Sequence, residues 1–181
     1  MTNDFRDATD ELAWLTIAEA GRRIRAGSLT SVALTEALLT RIETCQPALN
    51  VFRLLTADRA LALAHAADLQ LRAGQNLGPL HGIPYGLKDI FDTAGLPTSA
   101  GWALYDDRVM EQDSAACRAL AQAGMVLLGK TNTVQFASGY AGINHDHGTP
   151  HNPWHEVPHL PGGSSSGSAV GLAAGLFPLG L

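Results

Sequence analysis

The residues best suited to chemistry stand in one stretch, Pro161-Gly162-Gly163-Ser164-Ser165-Ser166-Gly167-Ser168-Ala169-Val170. Three consecutive serines lie between glycines and run into a small-residue apolar helix pattern. Glycine lets the backbone turn tightly and approach a ligand, because it has no Cβ to forbid positive φ. Ser166 or Ser168 is expected to cap the helix that follows, whose free N–H groups favour a developing negative charge. A flexible Gly/Ser linker has similar letters. A linker would lead to another polar segment or a fresh domain, whereas this stretch leads into Ala-Val-Gly-Leu-Ala-Ala-Gly-Leu-Phe.

A second candidate is a base. Among 12 basic side chains only Lys88 and Lys130 are lysines. Arginine keeps its proton, whereas a buried lysine can lose one and accept another. An arginine-rich genome produces the same bias, and residue type alone favours a surface Lys88 beside Asp89. Its position argues otherwise. Gly78 to Asp89 mixes turn residues with a strand of period two, and Lys88 lies inside that pattern, before Ile90 and Phe91. It is expected to point into the protein or at a cleft. His81 reads as a satisfied loop histidine.

Two other constellations carry less. Gly124 to Thr131 spells G-x-x-x-x-G-K-T, the letters of a phosphate-binding loop. Such a loop follows a strand and wraps phosphate with open N–H groups. Here Met125 to Leu128 is itself a buried strand, with a helix before it and a Gly129-Lys130-Thr131-Asn132 turn after it. His145, His147, His151, His155 and His159 resemble a metal cluster, yet Pro150, Pro153 and Pro158 forbid the continuous helix that i, i+4 ligands need. Beyond Asp146 and Glu156 no partner stands at ligand spacing, so a metal-free loop is expected.

The surrounding elements follow from capping and periodicity. Thr16-Ile17-Ala18-Glu19 opens a helix ending near Gly27. Ser28 to Ser31 starts a second, with Leu34, Leu38 and Ile42 on one face, Leu39 widening it and Pro47 closing it. Asn50 to Leu55 predicts a short strand, and Ala57 to Ala73 a helix stopped by Gly74. Ser114 to Gly124 is a short capped helix. Helix followed by apolar strand is the α/β alternation of a parallel sheet.

Composition bounds the rest. Hydrophobic residues form 46% of the 181, enough for a packed core. A net charge of −5 argues against nucleic-acid and anionic-membrane surfaces, which need clustered Lys and Arg. Cys45 and Cys117 read as small buried hydrophobes in a reducing compartment. Residues 1–11 are acidic and lack a signal-peptide core. No apolar run approaches the ~20 residues that span a bilayer. A cytoplasmic protein is expected.

Taken together, Gly82-Ile83-Pro84-Tyr85-Gly86-Leu87-Lys88-Asp89, Gly129-Lys130-Thr131-Asn132, and Asn152-Pro153-Trp154 leading to Pro161-Gly162-Gly163-Ser164-Ser165 resemble the N-terminal part of an amidase-signature enzyme. The resemblance runs from Thr16 to Leu181 and covers both the order and the spacing of the three blocks. It implies an α/β fold with a mixed sheet covered by helices, residues 1–76 being a helical region and 77–181 the start of the catalytic core. It further implies a Ser–Ser–Lys triad that cleaves amides through an acyl-enzyme, with Lys88 as the triad lysine and Ser164 as the bridging serine behind a cis peptide bond. Ala137, Ser138 and Gly139 then line the substrate pocket, and Lys130 is structural. A small-molecule amide is the partner, with no cofactor, no metal, no nucleic acid and no membrane; the full-length protein could be a homodimer.

Two departures from the family pattern stand out. Ser166 occupies a usual glycine position, which requires negative φ there. The nucleophilic serine belongs to an Asp-x-Gly-Gly-Ser motif roughly two dozen residues after the bridging serine, and no such motif occurs in this chain. The apolar run Phe177-Pro178-Leu179-Gly180-Leu181 resembles a strand start, so the chain is expected to stop in mid-core, before the nucleophile, and to be inactive alone. Three readings stay open: a stand-alone amidase, favoured by Phe136 to Asn144; a protein like the A subunit of glutamyl-tRNA(Gln) amidotransferase; and a non-catalytic remnant that binds a partner.

Overall fold

The computed structural model describes residues 11–155 and 157–181. The acidic stretch before Glu11 and the metal-ligand candidate Glu156 lie outside the described residues. The chain folds as α1 (Ile17–Arg25), α2 (Ser31–Leu49), β1 (Phe52–Leu55), α3 (Ala57–Arg72), β2 (Pro84–Lys88), α4 (Ala115–Gln122), β3 (Val126–Thr131) and α5 (Ser166–Ala173). The three strands form a mixed sheet in the order β1-β3-β2. β1 runs antiparallel to the central β3 and β2 runs parallel to it, so Lys130 stands opposite both Leu54 and Leu87. The architecture is α/β, with a small mixed sheet and helices packed on it. One of its strands, β1, comes from before residue 77.

The caps form as local chemistry dictates. Thr16 Oγ1 accepts from Glu19 N at 3.2 Å and Ser114 Oγ from Cys117 N at 3.3 Å. Glu19 turns to Arg22 and Arg23, so only half of the capping box is made. The expected stripe Leu34, Leu38 and Ile42 is at most 1% exposed and belongs to the main hydrophobic core, and Leu39 borders it half-buried. Cys45 and Cys117 are free, buried thiols.

Four expectations change. Pro47 does not close α2, which continues to Leu49 and ends at Asn50 with φ of 52°. A proline in the last turn costs little, and the Gln46 side chain fastens that end by accepting from Val51 N and Phe52 N and donating to Phe52 O. β2 does not alternate in burial with period two: all five residues are buried. Its outer edge is occupied, because Gly86 N and Lys88 N donate to Leu179 O and Leu181 O at 3.0 and 2.8 Å. Gly129, Lys130 and Thr131 form no turn; they lie within β3. Gly129 marks close backbone approach instead, since a Cβ there would collide with Leu54 O and stand 3.0 Å from Leu55 Cα. Finally, neither Ser166 nor Ser168 caps α5. Both lie inside the helix, Ser165 holds the N-cap position, and no side chain caps it.

Gly129→Ala should therefore push β1 off the central strand. Overpacking of this kind costs about 1–3 kcal/mol, and the expected outcome is a lower denaturant midpoint with unchanged cooperativity. A midpoint equal to the parent's would mean that β1 is free to shift.

Candidate active site

The side chain of Lys88 leaves the last position of β2 and donates from Nζ to Ser164 Oγ at 2.7 Å, across 76 residues of sequence. In a strand, residues two apart share a face, so Lys88 shares its face with Gly86. There a Cβ would stand 2.8 Å from the Phe177 ring. Lys88 thus enters the layer between the sheet and α5.

Ser164 is fixed through its backbone. Its carbonyl accepts from Val134 N at 3.1 Å and from Thr133 Oγ1 at 2.9 Å. The Gly163–Ser164 peptide bond is cis. Position 163 admits only glycine, because a Cβ would lie 2.8 Å from Gly142 N and 3.0 Å from Gly139 O. The Ser164 oxygen Oγ is left to face Lys88. Ser166 has no positive φ and sits in the first turn of α5. Ser168 Oγ is committed to Thr131 Oγ1 at 2.9 Å and to Leu181 O at 3.0 Å.

Lys88 is 8% exposed, and burial holds its amine below the ordinary lysine range. Among the described residues it has no ion-pair partner. Its neighbour Asp89 is engaged elsewhere. Asp89 Oδ1 accepts from Lys130 Nζ at 2.7 Å, and Oδ2 accepts from Ser99 N and the Ser99 hydroxyl. Lys130 is fully buried and also donates to Thr98 Oγ1 at 2.9 Å. It faces no open loop, so the phosphate-binding reading of this segment finds no geometry.

Ala137 ends a 3-10 turn, Gln135–Ala137, in which Phe136 and Ala137 both adopt positive φ (51° and 56°), and Ser138 and Gly139 follow it. Ser138 and Gly139 line a cleft of about 650 Å³ together with Phe136, Tyr140, Ile143 and Asn144. Neither Lys88 nor Ser164 reaches that lining. The link is through the backbone, by Val134 N to Ser164 O and by the contact of Gly139 and Gly142 with Gly163.

Two further groups of the site had no sign in the sequence. Asn144 is 4% exposed and donates from Nδ2 to Gly101 O and Thr133 O, at 2.9 and 2.7 Å. The Asp89–Lys130 pair spans 41 residues.

The histidines scatter. His147 Nε2 meets Asp106 Oδ1 at 2.8 Å, and the His155 and His159 rings stack edge-on with centroids 4.8 Å apart. Among the described residues no three His, Cys, Asp or Glu side chains stand where they could hold a metal ion. His81 is 1% exposed, meets Gln70 Oε1 at 3.1 Å and accepts from Leu77 N, and burial pushes its pKa down. No helix among the described residues is long and apolar enough to cross a membrane.

Residues 33–181 match the family model described as Amidase. The chain is 44% identical over 168 residues to the A subunit of glutamyl-tRNA(Gln) amidotransferase from Chloroflexus aggregans, covering 93% of this chain and 34% of that protein. Among solved structures it resembles the native peptide amidase from Stenotrophomonas maltophilia, with a TM-score of 0.87, 37% identity, and coverage of 94% of this chain and 36% of that one. It also resembles a fatty acid amide hydrolase, with a TM-score of 0.86, 26% identity, and coverage of 99% and 31%. The chain thus spans about a third of the length of the relatives it matches. Strand order, the lysine–serine contact and the serine-rich turn all fall within the matched residues, and the chain belongs to the amidase family.

Proposed function

We propose that this chain supplies the base and the relay serine of an amide hydrolase working through an acyl-enzyme. The observation that carries the reading is the 2.7 Å contact between a buried Lys88 Nζ, without a carboxylate of its own, and Ser164 Oγ. Neutral Lys88 takes the Ser164 hydroxyl proton while Ser164 takes one from a nucleophilic serine. That serine attacks the amide carbonyl, and the relay run backwards protonates the departing amine. The nucleophile belongs to an Asp-x-Gly-Gly-Ser motif that residues 1–181 do not contain, so the full-length protein is the catalyst. Ala137, Ser138 and Gly139 border the substrate, a small-molecule amide. A cytoplasmic setting is part of the proposal and is supported by the free thiols Cys45 and Cys117.

The 44% identity to an amidotransferase favours a second reading, in which the same pair serves amide transfer to charged transfer RNA. The net charge of −5 and the Phe136 to Asn144 segment favour hydrolysis of small amides. Release of free ammonia from simple amides without an RNA acceptor separates the two.

Lys88→Arg in the full-length protein is expected to lower kcat about a hundredfold or more, since arginine cannot give up its proton. Activity within tenfold of the parent would remove Lys88 as the base. The pH profile follows from the lowered lysine pKa. Activity is present while Lys88 is neutral and falls as pH drops through that value, below the usual ~10.4. A limb unchanged between the parent and a variant at Lys88 would contradict this. A fluorophosphonate probe should not label residues 1–181 alone, because Ser165, Ser166 and Ser168 share one turn with Ser164 and cannot face it across a cleft. Stoichiometric labelling at any of them would relocate the nucleophile. Chelators should leave turnover intact.

A further inference from the structure

The mechanism asks for an amine free to give up its proton, and β2 places an aspartate directly after it. An unengaged Asp89 would hold a proton on Lys88, because a nearby opposite charge favours the ammonium form. The structure disposes of that carboxylate completely. Asp89 N extends the ladder by donating to Thr131 O at 3.0 Å. Lys130 stands opposite Leu87, which as the neighbour of Lys88 in β2 points to the other face, and the Asp89 carboxylate turns to that side. It is met there by Lys130 Nζ, Ser99 N and the Ser99 hydroxyl, while Thr98 Oγ1 and Pro97 O take further Lys130 protons at 2.9 and 3.4 Å. Both partners are buried, with side-chain exposures of 0% and 3%.

Among the described residues no carboxylate pairs with Lys88. β3 carries Lys130 alone, and α5, loop 161–164 and segment 179–181 carry no ionisable side chain. α2 turns Cys45 inward, and burial pushes that thiol up so that it stays neutral. The other charges near the sheet are engaged: Asp68 accepts from Ser31 N and Val32 N, and Arg53 of β1 pairs with Asp106 at 2.7 Å. Tyr85, on the opposite face of β2, has its pKa raised by burial and stays neutral.

We infer that Lys130 is a positioning residue for the reaction: by closing an internal charge pair with Asp89, it keeps Lys88 without a counter-ion and therefore able to act as a base. The inference rests on the amide-hydrolase reading and assigns the chain's second lysine a task in it. Replacing Lys130 by arginine keeps the charge; replacing it by methionine frees Asp89 to act on Lys88.

The test is titration of the Lys88 amine by NMR in full-length protein labelled with [ε-13C, ε-15N]-lysine, the signal being assigned by its loss in Lys88→Met. In the parent and in Lys130→Arg, Lys88 should titrate below the ordinary lysine range. In Lys130→Met it should titrate higher, by on the order of one pH unit, and the activity limb should move up with it. Asp89→Asn leaves Lys130 uncompensated and should move Lys88 the opposite way, so either variant decides the matter if the other fails to fold. A Lys88 titration unmoved in a folded variant at position 130 or 89 overturns the inference. Because the signal is read without turnover, that result is distinct from failure of the hydrolase reading, which the Lys88→Arg assay decides.

Discussion

The hydrogen bond from Lys88 Nζ to Ser164 Oγ sets the demands that the rest of the structure meets. An amine withdrawn from water loses hydration that one neutral hydroxyl replaces only in part, so its environment favours the uncharged form. Such an arrangement persists only where the surroundings fix both partners. The lysine is fixed by the ladder, with Lys88 N bonded to Leu181 O on one side of β2 and the β3 register on the other. The serine is fixed by its carbonyl, which two donors from residues 133 and 134 hold. Both anchors lead back to β3, the strand that carries the site.

β3 can do this because of how closely other backbone approaches it. Gly129 lets β1 lie against it, and the segment after Thr131 is gripped from two sides, with Asn132 N bonded to Val51 O and Gly167 N bonded to Asn132 O. The start of α5 is thereby fixed relative to the sheet without a side-chain cap. The same strand supplies Lys130 to Asp89, so one element orders Ser164, the strand bearing Lys88, and the charge beside it. A small sheet of three strands suffices because its central member is buried along its whole length.

What could be read from the sequence was local. Thr16 and Ser114 cap helices because the acceptor and its N–H lie three residues apart, and Gly74 and Gly124 stop helices by adopting positive φ. The Leu34, Leu38, Ile42 stripe is visible because helical periodicity is a property of one segment. The misread features depend on distant partners. Gly129 looked like a turn residue, and only Leu54, 75 positions earlier, explains it as part of a strand. β2 read as a strand of period two, and its burial on all five residues depends on distant packing such as the Phe177 ring against Gly86. Lys88 and Ser164 were legible as residue types and as a family resemblance, whereas their meeting is a tertiary event. The Asp89–Lys130 pair had no local signature, and Lys130 read from its neighbours alone was no more than a turn lysine.

The site's other wall raises a different physical question, since the described residues between 132 and 165 contain almost no regular structure and yet hold Ser164 in place. Order there comes from satisfied hydrogen bonds, with hydrophobic burial in a secondary role. Asn144 shows how. Its Nδ2 donates to Gly101 O and Thr133 O, and its Oδ1 accepts from Asp146 N and His147 N, which exhausts the bonding capacity of a carboxamide. A buried amide with every bond made resists movement in each direction, because any displacement leaves a polar atom unpaired at a cost of about 1–3 kcal/mol. Three loops are thus joined at one residue. Thr133, held at its carbonyl by Asn144, passes the constraint on through its hydroxyl to Ser164 O. Ser164 is placed by a chain of polar contacts anchored in the fold, and this is how a loop-built wall can present a hydroxyl to a strand-borne amine at hydrogen-bonding distance.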